Sequence, residues 1–390
     1  MIAIKLAIRN LVGAGLRTWL NVFVLSLTFF FIIWQNGLIH GWNIQARTDM
    51  IDWSVATGQY WVSGYDPFDA FTIDDAHAPV PPQFEAAVTA GTVAPVLISQ
   101  ATIYPEGRMQ TVLLKGIDPA QRTVQLPSSL LKSENGEIPA LIGTRMAASA
   151  RLDAGDYVLV RWRDANGTFD AVELRIAGVF SSNVPAVDFG QIWIPLEDLR
   201  RMKQLGNEAT IIIKGDQYEN TAIPEGWVFR NRDYLMADLD QVIKSKSIGG
   251  SIFFIILLSL ALLAVFDTQV LSIFRRQREI GTYIAMGMTR AQVVWLFTVE
   301  GTMHALLAAL LFAIYGIPLL SWQKVRGMAL PDTVSDMGIP IAEKIIPAYS
   351  GTFILIIAIV VMITTAIVSY LPSRKIAKMN PTDAIKGKIQ

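Results

Sequence analysis

Residues 248–274 read IGGSIFFIILLSLALLAVFDTQVLSIF, a stretch with one charged side chain, Asp267. As a helix with a rise of 1.5 Å per residue it would be about 40 Å long, which exceeds the ~30 Å hydrocarbon core of a bilayer. Three further apolar runs of transmembrane length occur at Thr18–Ile39, Val293–Leu320 and Ala348–Leu371. The sequence therefore predicts four membrane-spanning helices, with residues 41–246 between the first and the second.

The short segments that flank these runs are basic. Residues 1–17, 275–292 and 372–390 together hold 12 Lys and Arg residues against 2 acidic ones. Excess positive charge in short loops marks the cytoplasmic side of a membrane protein. We therefore expect both termini in the cytoplasm and residues 41–246 on the outside. The first run is far longer than the apolar core of a signal peptide, so we expect it to be retained as a span.

The predicted segments follow from these boundaries. They are a cytoplasmic amphipathic elbow helix at 1–17, spans at 18–40, 247–274, 293–320 and 348–371, an external domain with its stalk at 41–246, a cytoplasmic loop at 275–292, a short external loop at 321–347 and a cytoplasmic tail at 372–390.

The external block alternates β-rich and helical stretches, which predicts an α+β domain in two lobes. Asp164-Ala-Asn-Gly167 supplies hairpin turn chemistry between two of the strands. The predicted strands are Gly58–Ser63, Thr111–Lys115, Tyr157–Trp162, Ala171–Val179, Ile192–Ile194 and Thr210–Lys214; the predicted helices are Pro82–Thr89, Glu197–Gln204 and the stalk Asn231–Ser247.

Recognisable catalytic and cofactor motifs are absent from the sequence. It has no G-x-x-x-x-G-K-[ST] loop to hold nucleotide phosphates and no G-x-S-x-G nucleophile elbow. Its 3 histidines form no H-E-x-x-H pattern, and it has no cysteine. We therefore expect a chain that is not an enzyme, binds no metal or cofactor of its own and does not bind nucleic acid.

Three ionisable residues lie within the predicted spans, where such residues are functional candidates. Asp267 lies in the inner part of the second span, and we expect it to pair with basic residues at the inner helix end. Glu300 and His304 are four residues apart and share a helix face. They suit a buried hydrogen bond between helices better than a proton relay.

Large apolar side chains cluster in the outer halves of the first two spans. We predict that some of them line a cavity for acyl chains from the outer leaflet, although packing against lipid would explain them equally well. The candidate residues are Phe30, Trp34, Phe253 and Leu257.

The loop after the second span predicts a short helix between two glycine breaks, Gly281 and Gly287, after which Thr289 can cap the third span. Such a helix beneath the membrane can dock into a groove of a cytoplasmic partner. The residues we expect to make this contact are Arg278, Glu279, Ile280, Gly281, Ala285, Met286, Gly287, Met288 and Thr289.

This loop resembles a known family signature. Arg278-Glu-Ile-Gly281 with Ala285-Met-Gly287 and Thr289-Arg290 is similar to the "REIG…RA[IL]GA[ST]R" run of FtsX/MacB-type ABC transporter permeases, closest to the lipoprotein-releasing Lol-type permeases. Leu6–Leu11, Leu371–Ile385 and the run from Ile142 to Phe180 resemble that family's entry, exit and external-domain motifs. Asp267 departs from the pattern because many relatives carry Asn there, which suggests pH sensitivity.

The resemblance implies a permease subunit of a type VII transporter in the inner membrane, with its large domain in the periplasm. Its expected partners are two copies of a cytoplasmic ATPase that binds ATP and Mg²⁺, a second permease that is identical or a sister chain, membrane lipids, and a periplasmic lipoprotein carrier or adaptor. The implied function is mechanotransmission that releases lipid-anchored protein from the outer leaflet. The alternatives are MacB-like efflux of amphiphilic compounds and FtsX-like signalling to a cell-wall hydrolase.

Overall fold

The computed structural model describes residues 16–133, 136–219, 222–329 and 344–378. The predicted elbow helix therefore lies almost entirely outside the described residues. The helices are α1 (Leu16–Met50), α2 (Ala70–Ile73), α3 (Glu85–Thr89), α4 (Thr144–Ala150), α5 (Pro185–Asp188), α6 (Leu196–Lys203), α7 (Arg232–Leu235), α8 (Ala237–Arg275), α9 (Gln277–Ala285), α10 (Arg290–Arg326) and α11 (Gly351–Ser373). The strands are β1 (Gly58–Val62), β2 (Ala78–Pro79), β3 (Val93–Ile103), β4 (Gln110–Ile117), β5 (Ile138–Gly143), β6 (Tyr157–Arg163), β7 (Phe169–Phe180), β8 (Gln191–Pro195), β9 (Glu208–Ala209), β10 (Ile211–Lys214), β11 (Trp227–Asn231), β12 (Met328–Ala329) and β13 (Lys344–Ile345).

Four helices within the described residues are long and apolar enough to cross a membrane. They cover Trp19–Val55, Ala237–Arg275, Arg290–Arg326 and Gly351–Ile376, with mean hydropathies of 1.9, 2.7, 2.1 and 2.7. The helices α1, α8 and α10 contain 35, 39 and 37 residues. Each is therefore about 50–60 Å long and extends beyond the ~30 Å hydrocarbon core. An α+β domain lies between the first two, which confirms the predicted fold class.

The chain divides into two compact units, a helical unit and an α+β unit, and the divisions fall after Trp42, Val242, Met328 and Lys344. In the helical unit, apolar side chains from all four long helices form one core. Phe29 of α1 stacks on Phe312 of α10 with ring centroids 6.1 Å apart, and Ala261 of α8 and Val361 of α11 are buried in the same cluster. Small residues at Ala305 and Ala308 allow the helices to approach closely.

The α+β unit is built on one nine-stranded mixed sheet in the order β11-β1-β10-β3-β4-β8-β5-β7-β6. The β4–β8 and β5–β7 pairs are parallel, and the other pairs are antiparallel. An additional pairing of β3 with β6 closes the six strands from β3 to β6 into a barrel. Alternation of exposed and buried residues along β6 places Val158, Val160 and Trp162 in the barrel core.

The two predicted lobes correspond to the two halves of this sheet, which share β3. The half formed by β11, β1, β10 and β3 has one apolar cluster of its own and shares a second with the other half. Its own cluster contains Tyr60, Phe84 and Trp227. Within its described residues, the α+β unit has three apolar clusters: the barrel core, the cluster that the two halves share and the cluster of this half. β3 contributes residues to all three, so the two halves share a core strand. The extended strand β3 is therefore the main structural link within this unit.

The predicted strands of the external block are confirmed, and the turn residues behave as their chemistry predicts. β6 and β7 form an antiparallel hairpin. At the turn, the Asp164 carboxylate accepts backbone hydrogen bonds from Asn166 (2.9 Å) and Thr168 (2.7 Å), and Gly167 adopts a φ of +84°. The predicted helical stalk is interrupted near its start: Asn231 ends β11 and caps the short helix α7, and the long helix α8 starts at Ala237.

One stretch of the family-like motif is explained by packing around Asp188. A Cβ atom on Gly143 would lie 2.4 Å from the backbone oxygen of Asp188, so only glycine fits there. Arg145, two residues later, donates from Nη1 to Asp188 Oδ2 at 2.9 Å. Burial raises the pKa of the Asp188 carboxyl, and the Arg145 guanidinium opposes that rise. Gly143 and Arg145 thus fix the α5 segment against β5.

Candidate functional site

The loop between α8 and α10 forms a helix bounded by two breaks. The first break is at Arg276, whose φ and ψ are −102° and 18°. The second is at Gly287, whose φ of +99° favours glycine. The predicted break at Gly281 is wrong, because α9 runs through this residue. A glycine within a helix costs only about 1 kcal/mol relative to alanine, so tertiary packing readily offsets it.

The third span begins at a capped helix end. The Thr289 side chain accepts from the backbone N–H of Gln292, and the Gln292 side chain accepts from the N–H of Thr289. This reciprocal arrangement is a capping box. The predicted capping role of Thr289 is therefore confirmed, and it fixes where the loop ends.

The helix α9 has a buried face and an exposed face. Ile280 is fully buried in a small cluster with Val293, Phe297 and Ile376, so it anchors α9 to α10 and to the short segment that follows α11. The Met286 side chain is 69% exposed. The exposed residues of this predicted contact set are Arg278, Glu279, Ala285, Met286, Gly287 and Thr289, whereas Ile280 and Gly281 are buried and Met288 is half-buried.

Arg276 connects this loop to the third span. Its Nη1 donates to both carboxylate oxygens of Glu300, at 2.8 and 2.9 Å, and its Nε donates to Glu279 at 2.7 Å. Its guanidinium also lies 4.8 Å from the centre of the Phe297 ring. Burial disfavours the charged guanidinium, but the two carboxylates outweigh this effect and raise the pKa of Arg276. We call this arrangement of Arg276, Glu279, Phe297 and Glu300 the Arg276 clamp.

The sequence pattern did not reveal Arg276. Glu300 was expected to act with His304, but its carboxylate faces Arg276 instead. The Nδ1 atom of His304 lies 3.2 Å from the backbone carbonyls of Glu300 and Gly301, within its own helix. Two features of the sequence could have identified the clamp. Glu300 is an acid inside an apolar span, and a run of arginines lies in the loop that precedes this span.

A second polar cluster surrounds Gly301, the residue that follows Glu300 on α10. A Cβ on Gly301 would lie 2.2 Å from Ser369 Oγ of α11 and 2.9 Å from Gln269 Nε2 of α8, so three helices meet there. Among the described residues, the buried atoms Gln269 Oε1, Ser369 Oγ and His304 Nε2 have no hydrogen-bond partner. Gly301 is therefore a close contact point of the helical unit.

Asp267 is exposed on the surface of α8. The next residue, Thr268, accepts a hydrogen bond from the Asn21 side chain of α1, so α1 and α8 are joined at this level. The expected ion pair of Asp267 with basic residues at the inner helix end is not made within the described part of the chain.

A cavity of about 200 Å³ lies among α1, α8 and α11 within the helical unit. Its walls combine apolar side chains with polar ones. The lining residues are Ile32, Gln35, Asn36, Ile39, Ser247, Gly250, Ser251, Phe254, Phe353 and Ile357.

The four residues predicted to line a cavity are not among the residues that line this one. Phe30, Trp34 and Leu257 pack against the helical core, and Phe253 is 41% exposed on the outer surface. Phe254, one residue later, faces the cavity. Adjacent residues of a helix point about 100° apart, so the rotation of α8 decides which of the two lines it.

The chain is similar to several known membrane proteins. The model of the FtsX-like permease C-terminal family matches residues 251–381. The lipoprotein-releasing system transmembrane protein LolC of Xylella fastidiosa is 21% identical over 321 residues, which cover 75% of this chain and 77% of LolC. The macrolide export ATP-binding/permease protein MacB of Sodalis glossinidius is 23% identical over 232 residues, which cover 56% of this chain and 32% of MacB. The periplasmic region of MacB from Actinobacillus actinomycetemcomitans covers 47% of this chain and 93% of its own, with 12% identity and a TM-score of 0.31.

Four apolar helices, an α+β domain after the first and an FtsX-like C-terminal region define a class of membrane protein. The chain is an ABC transporter permease of the FtsX/MacB type, also called type VII. It is a multi-pass protein of the inner membrane, and its relatives work with ATPase subunits.

Proposed function

We propose that this permease transmits ATP-driven motion from separate ATPase subunits to release lipid-anchored protein from the outer leaflet of the inner membrane. The Arg276 clamp is the observation that carries the proposal, because it ties the exposed helix α9 to the third span through a buried charge pair. Similarity to LolC supports lipoprotein as the substrate. Both termini lie in the cytoplasm in this proposal, and the α+β unit lies in the periplasm.

Force enters at the exposed face of α9. Closure of two ATPase subunits pushes on side chains such as Met286, which are free to contact a groove in the partner. The buried Ile280 and the Arg276 clamp then carry the displacement to α10. Because α1 and α8 are uninterrupted over 35 and 39 residues, a tilt at their inner ends also moves their outer ends. ATP and Mg²⁺ act on the ATPase and not on this chain.

The cavity beside α1, α8 and α11 suits part of an amphiphilic substrate. Ile32, Phe254 and Ile357 supply apolar walls for an acyl chain, whereas Gln35 and Asn36 supply amide groups for hydrogen bonds. Transfer of an acyl chain from lipid into apolar walls changes its solvation little, so captured substrate can leave again. A cavity of about 200 Å³ holds only part of a lipid anchor.

Efflux of amphiphilic compounds is the second candidate function, and the match to a macrolide exporter favours it. The two functions differ in what the cavity contacts: a protein with a covalently attached lipid or a free small amphiphile. Both use the same coupling to an ATPase, so the Arg276 clamp does not distinguish them.

Photo-crosslinking distinguishes the two functions. A photoreactive phenylalanine analogue at Phe254 should capture lipid-anchored protein in nucleotide-free membranes and lose it when ATP binds. The matched control is the same analogue at Phe253, which faces outward and should capture only phospholipid. Capture of phospholipid alone at both positions would contradict lipoprotein release and favour efflux.

A further inference from the structure

The α+β unit contains a cavity of about 670 Å³ whose wall combines residues of both halves of the sheet. Val80 belongs to the apolar cluster of one half, and Leu196 belongs to the barrel core of the other. The volume lies within the range of roughly 300–1,000 Å³ that is usual for small-molecule sites. No step of the proposed function involves this cavity.

The buried part of the cavity wall is mostly apolar. Leu131 is fully buried, and Leu196 and Val80 are 5% and 7% exposed. Pro95 of β3 and Pro195 of β8 also line the cavity and are buried. Proline has no backbone N–H, so these two positions offer no donor to a polar group. This part of the wall therefore suits an apolar molecule.

Arg200 of α6 places a buried positive charge in the same wall. It is 7% exposed. Its Nε atom donates to the backbone oxygen of Glu208 at 3.0 Å, and its Nη1 atom donates to Glu197 at 2.7 Å. Its Nη2 atom is buried and has no hydrogen-bond partner among the described residues. Because a buried donor without an acceptor is unfavourable, this guanidinium has a place for one more acceptor.

The acidic residues of the wall already have partners or contact water. The buried Asp198 carboxylate lies 3.0 Å from Arg201 Nη2, and the Asp118 carboxylate accepts a backbone hydrogen bond at 2.8 Å. Glu85 and Glu197 are exposed, so water solvates their carboxylates and screens their charge. The buried group of the wall that lacks a partner is therefore a positive one, and an anionic ligand group satisfies it best.

We propose that this cavity binds a small molecule that combines a carboxylate with an apolar body. The carboxylate accepts hydrogen bonds from the Arg200 guanidinium, whose planar set of donors matches two carboxylate oxygens. The apolar body packs against Leu131, Leu196 and the two prolines, where it is removed from water. Because the wall belongs to both halves of the sheet, the bound molecule holds the two halves together. A fatty acid and the free carboxyl end of a peptide both present this chemistry.

Protection of a single cysteine from labelling tests the site in the full chain, which has no cysteine of its own. Asn207 is exposed and lines the cavity together with Arg200, so Asn207→Cys places a thiol there. With the permease in lipid nanodiscs, octanoate should slow the reaction of this thiol with a water-soluble maleimide. Octanamide, which has the same chain without the charge, should need a concentration at least about tenfold higher. Acetate, which lacks the apolar body, should also need at least about tenfold more.

The peptide N-acetyl-leucyl-leucine, which has a free carboxylate, distinguishes the two sources of this chemistry. Protection at lower concentration by this peptide than by octanoate would assign the site to the end of a peptide. The reverse order would assign it to a fatty acid. These measurements need neither an ATPase nor a lipoprotein, so they test the site separately from the proposed function.

Three variants serve as controls. Asn166→Cys, in the exposed β6–β7 turn, should react at the same rate with and without octanoate. In the Asn207→Cys chain, Arg200→Gln should abolish protection by octanoate, whereas Glu197→Gln should retain it. Equal protection by octanoate and octanamide, or no protection by either, would overturn the proposal. That comparison keeps Arg200 intact, so it holds even where Arg200→Gln fails to fold.

Discussion

Arg276 and Glu300, which are 24 residues apart in the sequence, form an ion pair. The Arg276 Nη1 atom lies 2.8 and 2.9 Å from the two carboxylate oxygens. The Glu300 side chain is 8% exposed and that of Arg276 is 18% exposed. The pair therefore lies largely out of water, where electrostatic interactions are stronger than at the surface. It joins the start of the helix α9 to the membrane helix α10.

Replacement of Glu300 should uncouple the permease from its ATPase. Glu300→Gln removes the more buried of the two carboxylates that compensate Arg276, and loss of one partner of a buried pair costs about 3 kcal/mol. We expect substrate-stimulated ATP hydrolysis of the assembled transporter to fall about tenfold, the change expected if about 1.4 kcal/mol of that cost falls on the coupled state.

Glu279→Gln is the matched control, because Glu279 also contacts Arg276 but its side chain is 55% exposed. It should reduce stimulation less than Glu300→Gln does. Equal activity of both variants and the wild type would show that the pair does not transmit motion.

The turn at Gly287 should be intolerant of other residues. Its φ of +99° is rarely adopted by residues with a side chain, so Gly287→Ala should cost about 1–2 kcal/mol. Gly287→Pro should abolish stimulated hydrolysis while the permease remains folded in the membrane, because proline cannot adopt this φ.

Gly249→Ala serves as the comparison for Gly287, since a Cβ at Gly249 within α8 would meet open space. It should leave hydrolysis unchanged. Retained stimulation in Gly287→Pro would mean that α9 forms a passive turn.

The contact between Gly301 and Ser369 should be sensitive to a single methyl group. In Gly301→Ala the new Cβ would lie 2.5 Å from Ser369 Cβ, which forces α10 and α11 apart. Overpacking of this kind costs about 1–3 kcal/mol. The melting temperature of the purified permease in detergent should fall, and Ser369→Gly in the same chain should restore most of it. A double variant no more stable than Gly301→Ala would contradict this packing.

The proposed orientation is open to cysteine labelling. A cysteine at Asn166, which is exposed in the β6–β7 turn, should react with a membrane-impermeant thiol reagent in spheroplasts. A cysteine at Met288 should react only after the membrane is permeabilised. The reverse pattern would place the α+β unit in the cytoplasm.

The architecture was predictable because apolar runs of transmembrane length and alternating strand patterns are local signals. The sequence also predicted the break at Gly287, where the structure has a positive φ. The pairing of Arg276 with Glu300 was not predictable, because it depends on how α9 packs beneath α10. A charge pattern alone does not distinguish one arginine of a basic cluster from another.

The predicted and the observed cavity-lining residues differ for a related reason. The middle of α8 is apolar on nearly all sides, so its sequence has no periodicity to reveal which face meets the other helices. Phe253 and Phe254 are chemically identical, yet only Phe254 faces the cavity. For the same reason the sequence does not show that Asp267 faces outward. In the structure Asp267 is exposed because the opposite face of α8 is buried.

Release of lipoprotein in a reconstituted system is the most direct measurement of the proposed function. Vesicles contain the permease, its ATPase and an acylated lipoprotein in the leaflet that corresponds to the outer one, and a soluble acyl-binding carrier is added. ATP should move the lipoprotein into the soluble fraction with wild-type permease, whereas Glu300→Gln should reduce release about tenfold, in parallel with ATP hydrolysis. Lipoprotein that stays in the vesicles while ATP drives out a small amphiphilic dye would contradict lipoprotein release.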